Sequence, residues 1–339
     1  MARKVNIAVI GTGRMGSVHV ANLARCVPEA NLAAVCDIRL DVAKAAADEF
    51  GVARVTPDYH ELLADPQIEA VLIATSTNTH ACILKDAALA GKHIFCEKPL
   101  SMDLASIDDA LAAVDKAGVK LQVGFNRRFD GSFQRVHQIV ESGQIGRPCI
   151  LRITNRDPAL PALDFLRVSG GMFLDLTIHD FDMVRYQMGE VDEIYAIGNV
   201  LVAPELAEFG DVDTGIVTLK FKNGAIGAID NSRQAVYGYD QRLEVFCSAG
   251  TAMANNESQD VVVRGDPNGF HAAPPPYFFM QRYAPCYVEE VRQFIECVRD
   301  DKPTPTTGED GRMAVVLGFA AWKSLRENRP VKISEITAA

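Results

Sequence analysis

The chain has 339 residues, which is long for one hydrophobic core and favours two domains. Hydrophobic residues make up 48% and charged residues 23%, as in an ordinary globular protein. The formal net charge is −10 and no basic tract stands out, which disfavours a nucleic-acid partner or a polyanionic membrane surface.

The apolar segments and the cysteines indicate a cytoplasmic protein. The apolar run within residues 1–10 is too short for a signal peptide, and no run approaches the roughly 18 residues of a membrane span. The eight cysteines are scattered, without a CxxC pair or metal-ligand spacing, and some lie in apolar strands, as Cys36 and Cys96 do. We therefore expect small buried thiols in a reducing compartment and no bound metal.

Residues 5–10 form a nearly continuous apolar run, which is typical of a parallel strand covered on both faces. The run leads into a glycine-rich turn made of Gly11, Thr12, Gly13, Arg14, Met15 and Gly16. A helical stretch then continues to about Arg25, and a second strand, 31–36, ends in Asp37. Strand, glycine turn, helix and acid-ended strand together predict a dinucleotide-binding site.

Asp37 lies 21 residues after Gly16, where a carboxylate accepts hydrogen bonds from the adenosine ribose. The same negative charge repels a 2′-phosphate, so the sequence favours NAD over NADP. Arg39 weakens that preference a little and is itself a candidate contact for the cofactor.

Helical and strand patterns continue to alternate up to Gly124. Helices are expected at 41–50, 58–64, 79–90 and 101–117, and strands at 70–74, 93–96 and 120–124. Acids or hydroxyls before the helices and glycines after them are the usual start and stop signals. The alternation predicts an N-terminal Rossmann domain, residues 1–124, on a six-stranded doubly wound parallel sheet.

Polar residues follow the strands of this domain, at the edge where a doubly wound sheet binds its ligands. The further candidates for cofactor contact are Thr75, Ser76, Asn78, His80, Glu97 and Lys98. Lys98 has two interpretations. Its side chain extends so that the ammonium group reaches solvent, or it binds a substrate hydroxyl and stabilises developing alkoxide charge. Pro99 restricts the chain just after it, which favours the second interpretation.

After Gly124 the pattern changes to strands with little helix between them. Helices are expected at 129–142, 288–299 and 311–326, and strands at 149–154, 194–202, 213–220, 225–234 and 242–247. The pattern predicts that residues 125–339 form an α+β domain on a large, mostly antiparallel sheet. Since such a sheet often forms subunit interfaces, we expect this domain to bind substrate and to assemble a homo-oligomer, most simply a tetramer.

The stretch after Gly170 reads as one helix up to Gly189. Asp175, His179 and Asp182 stand at i, i+4 and i+7, which places them on one face among apolar residues. An imidazole flanked by carboxylates suits a dehydrogenase, which takes a proton from an alcohol. The alternative is a satisfied histidine with two helix-surface acids.

The glycine turn, the Glu-Lys-Pro sequence at 97–99 and the Asp175/His179 stretch resemble the glucose-fructose oxidoreductase/inositol dehydrogenase/rhizopine-catabolism (Gfo/Idh/MocA) family over essentially the full length. Within that family, residues 155–158, 178–182 and 237–242 look most similar to the bacterial inositol 2-dehydrogenases. The resemblance implies NAD-dependent oxidation of a cyclic polyol, chiefly myo-inositol, by hydride transfer, as in myo-inositol catabolism.

The resemblance also implies roles for individual residues. His179 would be the general base, Asp175 would orient it, and Lys98 would hold the reacting oxygen. The candidates for binding the other hydroxyls are Arg127, Asn155, Asp157 and one of Tyr237 and Tyr239. The sequence leaves open which tyrosine faces the substrate.

Three other functions remain open at this stage. A dehydrogenase of another inositol isomer, sugar or polyol would share every motif above. Some family members use NAD to cleave glycosidic bonds through a transient ketone, and others act as dinucleotide-sensing regulators without catalysis. The presence of both Lys98 and His179 disfavours the regulator.

Overall fold

The computed structural model describes residues 3–337 and contains two compact units. The first runs to Phe129 and also contains Pro285–Val315, and the second contains Asp130–Ala284 and the residues from Val316 onwards. The division after Phe129 lies close to the expected one after Gly124. The inclusion of Pro285–Val315 in the first unit differs from the expected domain of residues 125–339.

Fifteen strands and thirteen α-helices are present among the described residues. The strands are β1 (Val5–Ile10), β2 (Ala30–Cys36), β3 (Arg54–Thr56), β4 (Ala70–Ile73), β5 (His93–Glu97), β6 (Leu121–Gly124), β7 (Pro148–Arg156), β8 (Val191–Asn199), β9 (Thr214–Phe221), β10 (Ile226–Ser232), β11 (Asp240–Cys247), β12 (Gly250–Ala254), β13 (Val263–Asp266), β14 (Gly269–Ala272) and β15 (Val331–Lys332). The helices are α1 (Arg14–Arg25), α2 (Leu40–Phe50), α3 (His60–Leu63), α4 (Thr77–Leu89), α5 (Leu104–Ala117), α6 (Gly131–Glu141), α7 (Leu163–Leu166), α8 (Met172–Asp175), α9 (Ile178–Met188), α10 (Phe279–Arg282), α11 (Ala284–Arg299), α12 (Gly308–Glu327) and α13 (Ser334–Thr337). Two 3-10 helices cover Asn126–Phe129 and Pro204–Phe209.

The first unit is built on a six-stranded sheet in the order β3-β2-β1-β4-β5-β6, with every neighbouring pair parallel. The prediction of a doubly wound parallel sheet is therefore confirmed. Six strands were predicted, but residue ranges were given for five of them. The strand that lacked a range is β3, which has three residues and no apolar pattern of its own. Because all strands point the same way, their carboxyl ends share one edge of the sheet.

Helix α11 belongs to the first unit because its apolar stripe completes that unit's core. Val291, Phe294 and Ile295 are fully buried in the same cluster as Val5 and Ile7 of β1. An amphipathic helix is stabilised chiefly by the burial of such a stripe, so packing overrides the position of α11 late in the chain.

The second unit contains a seven-stranded sheet in the order β12-β11-β7-β10-β9-β8-β15. Only the β7–β10 pair is parallel, so the sheet is mixed and mostly antiparallel, as predicted. Side chains alternate between its two faces. On β7, Leu151, Ile153 and Asn155 are buried, whereas Arg152 is exposed on the opposite face.

The predicted single helix after Gly170 is interrupted. Helix α8 ends at Asp175 and α9 begins at Ile178. In the turn between them, the hydroxyl of buried Thr177 donates a hydrogen bond to Asn231 Oδ1 at 2.7 Å. The three residues were expected on one helix, but Asp175 ends α8 whereas His179 and Asp182 lie on α9. Asp182 is buried, whereas Asp175 and His179 are half-buried on separate helices.

Within residues 3–337, no helix combines the length and the apolar character that crossing a membrane requires. All eight cysteines are free thiols, and Cys36 and Cys96 are buried in strands as expected. Burial raises the pKa of Cys36 to about 12, with a further contribution from nearby carboxylates.

Candidate active site

The glycine-rich turn of the first unit fits against neighbouring backbone so closely that side chains are excluded. A Cβ on Gly16 would lie 1.9 Å from the carbonyl oxygen of Gly11. A Cβ on Gly11, whose φ is +92°, would lie 2.6 Å from the carbonyl oxygen of Ala74. These glycines therefore fix how α1 leaves the end of β1.

Gly13 has a different role, because a Cβ there would meet no heavy atom within 4 Å. It is the N-cap of α1, and no side chain caps that helix end. The first backbone N–H groups of this twelve-residue helix thus face open space, into which a side chain at position 13 would extend. A pyrophosphate would be held in that space. Arg14 is exposed and Met15 is half-buried at the same turn.

Asp37, directly after β2, is fixed beside this turn. Its carboxylate accepts hydrogen bonds from the Thr12 N–H at 2.9 Å, the Thr12 hydroxyl at 3.2 Å and the Arg39 N–H at 2.9 Å. Burial acts to raise the pKa of Asp37, but these hydrogen bonds and the Arg39 charge outweigh it and lower the pKa below its ordinary value. An ionised acid is therefore presented where the ribose hydroxyls are expected.

The end of β4 carries three of the predicted cofactor contacts. Thr75 is half-buried, with its hydroxyl 2.7 Å from that of Thr79. Ser76 and Asn78 are exposed at the start of α4. All three lie at the sheet edge that also carries the glycine turn, since β4 is the neighbour of β1.

His80 and Glu97, also predicted to contact the cofactor, make other contacts. The ring nitrogens of buried His80 lie 2.8 Å from the Pro99 carbonyl oxygen and 3.1 Å from that of Thr75. Burial is the main influence on the pKa of His80 and lowers it, and the ring lies between the ends of β4 and β5. Glu97 Oε1 lies 2.6 Å from Nε2 of buried His19, so its side chain is held inside the unit.

Lys98 follows β5 directly and is half-buried. Arg127 is buried in the 3-10 helix after β6. Both residues belong to the first unit and follow neighbouring strands of its sheet, whereas Asp175 and His179 belong to the second unit.

In the second unit, Asp175 is oriented by an arginine that the sequence analysis did not identify. Nη1 of Arg233, whose side chain is fully buried, lies 3.1 Å from Asp175 Oδ2, and Nη2 lies 4.0 Å from Asp211 Oδ2. A buried cation requires a carboxylate partner, so this pair restrains the side chain of Asp175. Arg233 lies 58 residues further along the chain, and no local pattern marks it.

Asn155, predicted to bind substrate, is fully buried and its amide is already used. Its Nδ2 donates to Asp180 Oδ2 at 2.7 Å, and its Oδ1 accepts from Gln241 Nε2 at 2.6 Å. Asn231 Nδ2 donates to the same Asp180 oxygen at 3.0 Å. Asn155 therefore holds Asp180, the residue next to His179, because strand alternation turns its side chain into the unit.

The two candidate tyrosines lie in different environments. Tyr237 is about half exposed (49%); its hydroxyl donates to Asp240 Oδ2 at 2.6 Å and accepts from Arg156 Nη1 at 3.2 Å. Arg156 lies on the face of the sheet opposite Asn155, so Tyr237 belongs to that outer face. Tyr239 is buried, with its ring centroid 5.9 Å from that of Tyr283.

The remaining candidate, Asp157, is half-buried at the end of β7. Its backbone N–H donates to the Ser232 carbonyl at 2.9 Å, and its carbonyl accepts from the Ala235 N–H at 2.6 Å. The backbone at Asp157 is thus fixed to the segment that follows β10.

Comparisons with known proteins agree with this arrangement. The model of an oxidoreductase family with an NAD-binding Rossmann fold (GFO_IDH_MocA) matches residues 5–125, and that of the GFO/IDH/MocA C-terminal domain matches residues 133–253. The chain belongs to the Gfo/Idh/MocA oxidoreductase family. It is an NAD-dependent oxidoreductase whose Rossmann domain corresponds to the first unit up to β6.

Three relatives show how far the similarity extends. Myo-inositol 2-dehydrogenase of Thermotoga maritima is 51% identical over 98% of this chain and 99% of its own length. The scyllo-inositol 2-dehydrogenase (NAD(+)) of Bacillus subtilis is 35% identical over 98% and 97%. The crystal structure of myo-inositol dehydrogenase from Lactobacillus casei in complex with NAD(H) and myo-inositol is 28% identical, with a TM-score of 0.89 over 97% of this chain and 96% of that one.

The placement of Asp37 predicts how the choice between the two dinucleotides can be changed. Replacing Asp37 by Ser removes the like charge facing a 2′-phosphate, a repulsion that typically costs several kcal/mol. We expect Asp37→Ser to raise kcat/KM for NADP by at least about tenfold and to lower that for NAD. Steady-state kinetics with both dinucleotides provide the measurement.

Asp41→Ser is the matched control, because Asp41 is an exposed acid at the start of α2. It should leave both values unchanged. An Asp37→Ser variant with unaltered preference would show that the carboxylate does not face the ribose.

Proposed function

We propose that this enzyme oxidises myo-inositol to 2-keto-myo-inositol (scyllo-inosose) with NAD, in the cytoplasm and as a step in myo-inositol catabolism. The observation that carries the proposal is the 51% identity to a myo-inositol 2-dehydrogenase over nearly the whole of both chains. Lys98, Asp175 and His179 are all present, and the ion pair with Arg233 fixes Asp175.

In the proposed mechanism, His179 is the general base that takes the proton of the reacting hydroxyl. Asp175 stabilises the imidazolium that forms, and its pairing with Arg233 holds the carboxylate in place for this purpose. Lys98 donates a hydrogen bond to the reacting oxygen and favours its alkoxide form. Bound NAD accepts the hydride from the substrate carbon at C4 of its nicotinamide.

The other hydroxyls of a cyclic polyol need several hydrogen-bond partners. Arg127 and Asp157 remain candidates for this role. Tyr239 is favoured over Tyr237, because Tyr237 is engaged by Arg156 and Asp240 on the outer face of the sheet. Asn155 acts indirectly, by holding Asp180 beside His179.

The function is tested by following NADH absorbance with NAD and a panel of myo-inositol, scyllo-inositol and glucose. We expect the highest kcat/KM with myo-inositol. Lys98→Ala and His179→Ala should each lower kcat by at least ~100-fold, the low end for a lost acid–base partner, while calorimetry shows NAD still bound.

Lys85→Ala and His60→Ala are the matched controls, since both side chains are exposed in the first unit. Near wild-type turnover in both Lys98→Ala and His179→Ala would refute the mechanism. Turnover with scyllo-inositol or glucose but not with myo-inositol would be consistent with the mechanism and would show that myo-inositol is not the substrate.

We further propose that the outer face of the seven-stranded sheet joins copies of this chain into a homotetramer. Ile216 of β9 is 52% exposed and pairs with Ile197 of β8, which is 57% exposed. Ile226, Ile150 and Phe246 are register partners across β10, β7 and β11 on the same face. Rows of exposed apolar side chains on a broad sheet are typical of a protein interface.

Sedimentation velocity should therefore give the mass of four chains for the wild type and a smaller species for Ile216→Glu and Phe246→Glu. The matched control is Leu89→Glu on α4, because Leu89 is also an exposed apolar residue (64%) but lies in the first unit. A monomeric wild type at micromolar concentration would reject the assembly.

A further inference from the structure

Helix α11 places an acid in the core of the first unit. The side chain of Glu290 is fully buried, and neither of its carboxylate oxygens accepts a hydrogen bond from a described residue. An isolated ionised carboxylate in such a place is strongly destabilising, so the group either binds a cation or becomes neutral.

Two further buried groups face Glu290, and both belong to the same unit. They are Glu97 at the end of β5 and His19 of α1, and the nearest ligand atoms of the three side chains all lie within 4.8 Å of one another. The rings of Phe95 and Tyr287 pack against His19. After burial, the electrostatic influence of Glu97 also raises the pKa of Glu290.

The geometry favours a shared proton over a metal ion. The distance between His19 Nε2 and Glu97 Oε1 is 2.6 Å, which is the length of a short hydrogen bond. Two ligands on one tetrahedral zinc ion, each at about 2.0–2.2 Å, would be roughly 3.3 Å or more apart. Nδ1 of His19 is buried without a partner, so its proton is best placed on Nε2, and the ring donates to Glu97.

We propose that Glu290 is carried as a neutral carboxylic acid whose proton is donated to Glu97, so that Glu97 accepts from both Glu290 and His19. The cluster then holds a single negative charge, on Glu97. Its second oxygen packs against β6, where a Cβ on Gly124 would come within 3.0 Å of Oε2.

This arrangement makes Glu290 a positioning residue for Lys98. Glu97 is the last residue of β5 and Lys98 is the next, so fixing the Glu97 side chain fixes the strand end that presents the lysine. This part of the inference depends on the proposed function, because it gives Lys98 its role. The protonation of Glu290 does not depend on it.

The proton has a measurable consequence for stability. Burial, and then the charge of Glu97, raise the pKa of Glu290 well above its ordinary value of 4.5. In the unfolded chain Glu290 ionises above about pH 4.5, whereas in the folded chain it keeps its proton. The folded state therefore loses stability as pH rises from there, by up to tenfold in the unfolding equilibrium constant per pH unit, about 1.4 kcal/mol.

Glu290→Gln removes this dependence, because a glutamine amide also donates to Glu97 but does not titrate. We expect the variant to be more stable than the wild type at neutral pH, by a margin that widens as pH rises from 5.5 to 8. The margin should reach up to about tenfold in the unfolding constant per pH unit, measured by urea unfolding of the full chain. Glu289→Gln, on the half-buried neighbour, should show no widening margin.

Infrared difference spectra of wild type minus Glu290→Gln should show the carbonyl stretch of a protonated carboxylic acid at pH 7.

The positioning role is tested by turnover. Glu290→Gln should retain kcat within about threefold. Glu290→Asp, whose shorter side chain withdraws the donor, should lose at least about tenfold in kcat with little change in the Kd of NAD.

A pH-independent stability difference, the absence of the carbonyl band, or one equivalent of tightly bound metal by elemental analysis would each overturn the protonation of Glu290. Unchanged kcat in Glu290→Asp would overturn the positioning role alone. Unfolding and infrared spectra need no substrate, so a failure of the proposed function would leave them unaffected and would appear only as absent turnover in the wild type.

Discussion

The close approach of α1 to the end of β1 is the constraint on which the first unit depends. Gly16 lies so near the Gly11 carbonyl that only hydrogen fits between them, and this contact sets the direction of the helix. The direction has two results. The uncapped start of α1 faces the open space beside Gly13. Further along the same helix, the side chain of His19 enters the core beside Glu97. The cofactor turn and the strand end that carries Lys98 are thus fixed by the same helix.

In the second unit, hydrogen bonds and ion pairs between buried polar groups fix the site residues, whereas close backbone contacts at glycines do so in the first. Asp175 is paired with Arg233, and Asp180 accepts hydrogen bonds from Asn155 and Asn231. Each of these groups would destabilise the unit if it lost its partner, because buried polar atoms without hydrogen bonds are costly. The half-buried His179 therefore lies in a segment whose flanking residues are immobilised. Pre-organisation of this kind is what a general base needs before its substrate arrives.

Local signals were sufficient to predict the parallel sheet, the glycine turn and Asp37, because strand periodicity and close backbone approach leave a pattern within a few residues. The sequence also indicated the order of the two units. It did not reveal the break between α8 and α9, where the Thr177 hydroxyl bonds to Asn231 more than 50 residues away. For the same reason it did not reveal the hydrogen bond from Asn155 to Asp180, and neither Arg233 nor Glu290 was recognised. These roles are created by pairing across the fold, which one sequence does not display.

In the proposed reaction, myo-inositol loses a hydride directly to NAD. Myo-inositol carrying deuterium on the carbon that is oxidised provides the most direct test, with the NADH product analysed by mass spectrometry and NMR. The account predicts one deuterium per NADH, at C4 of the nicotinamide, and a slower single-turnover rate than with unlabelled substrate. Unlabelled NADH, or ketone formed without NADH, would contradict it.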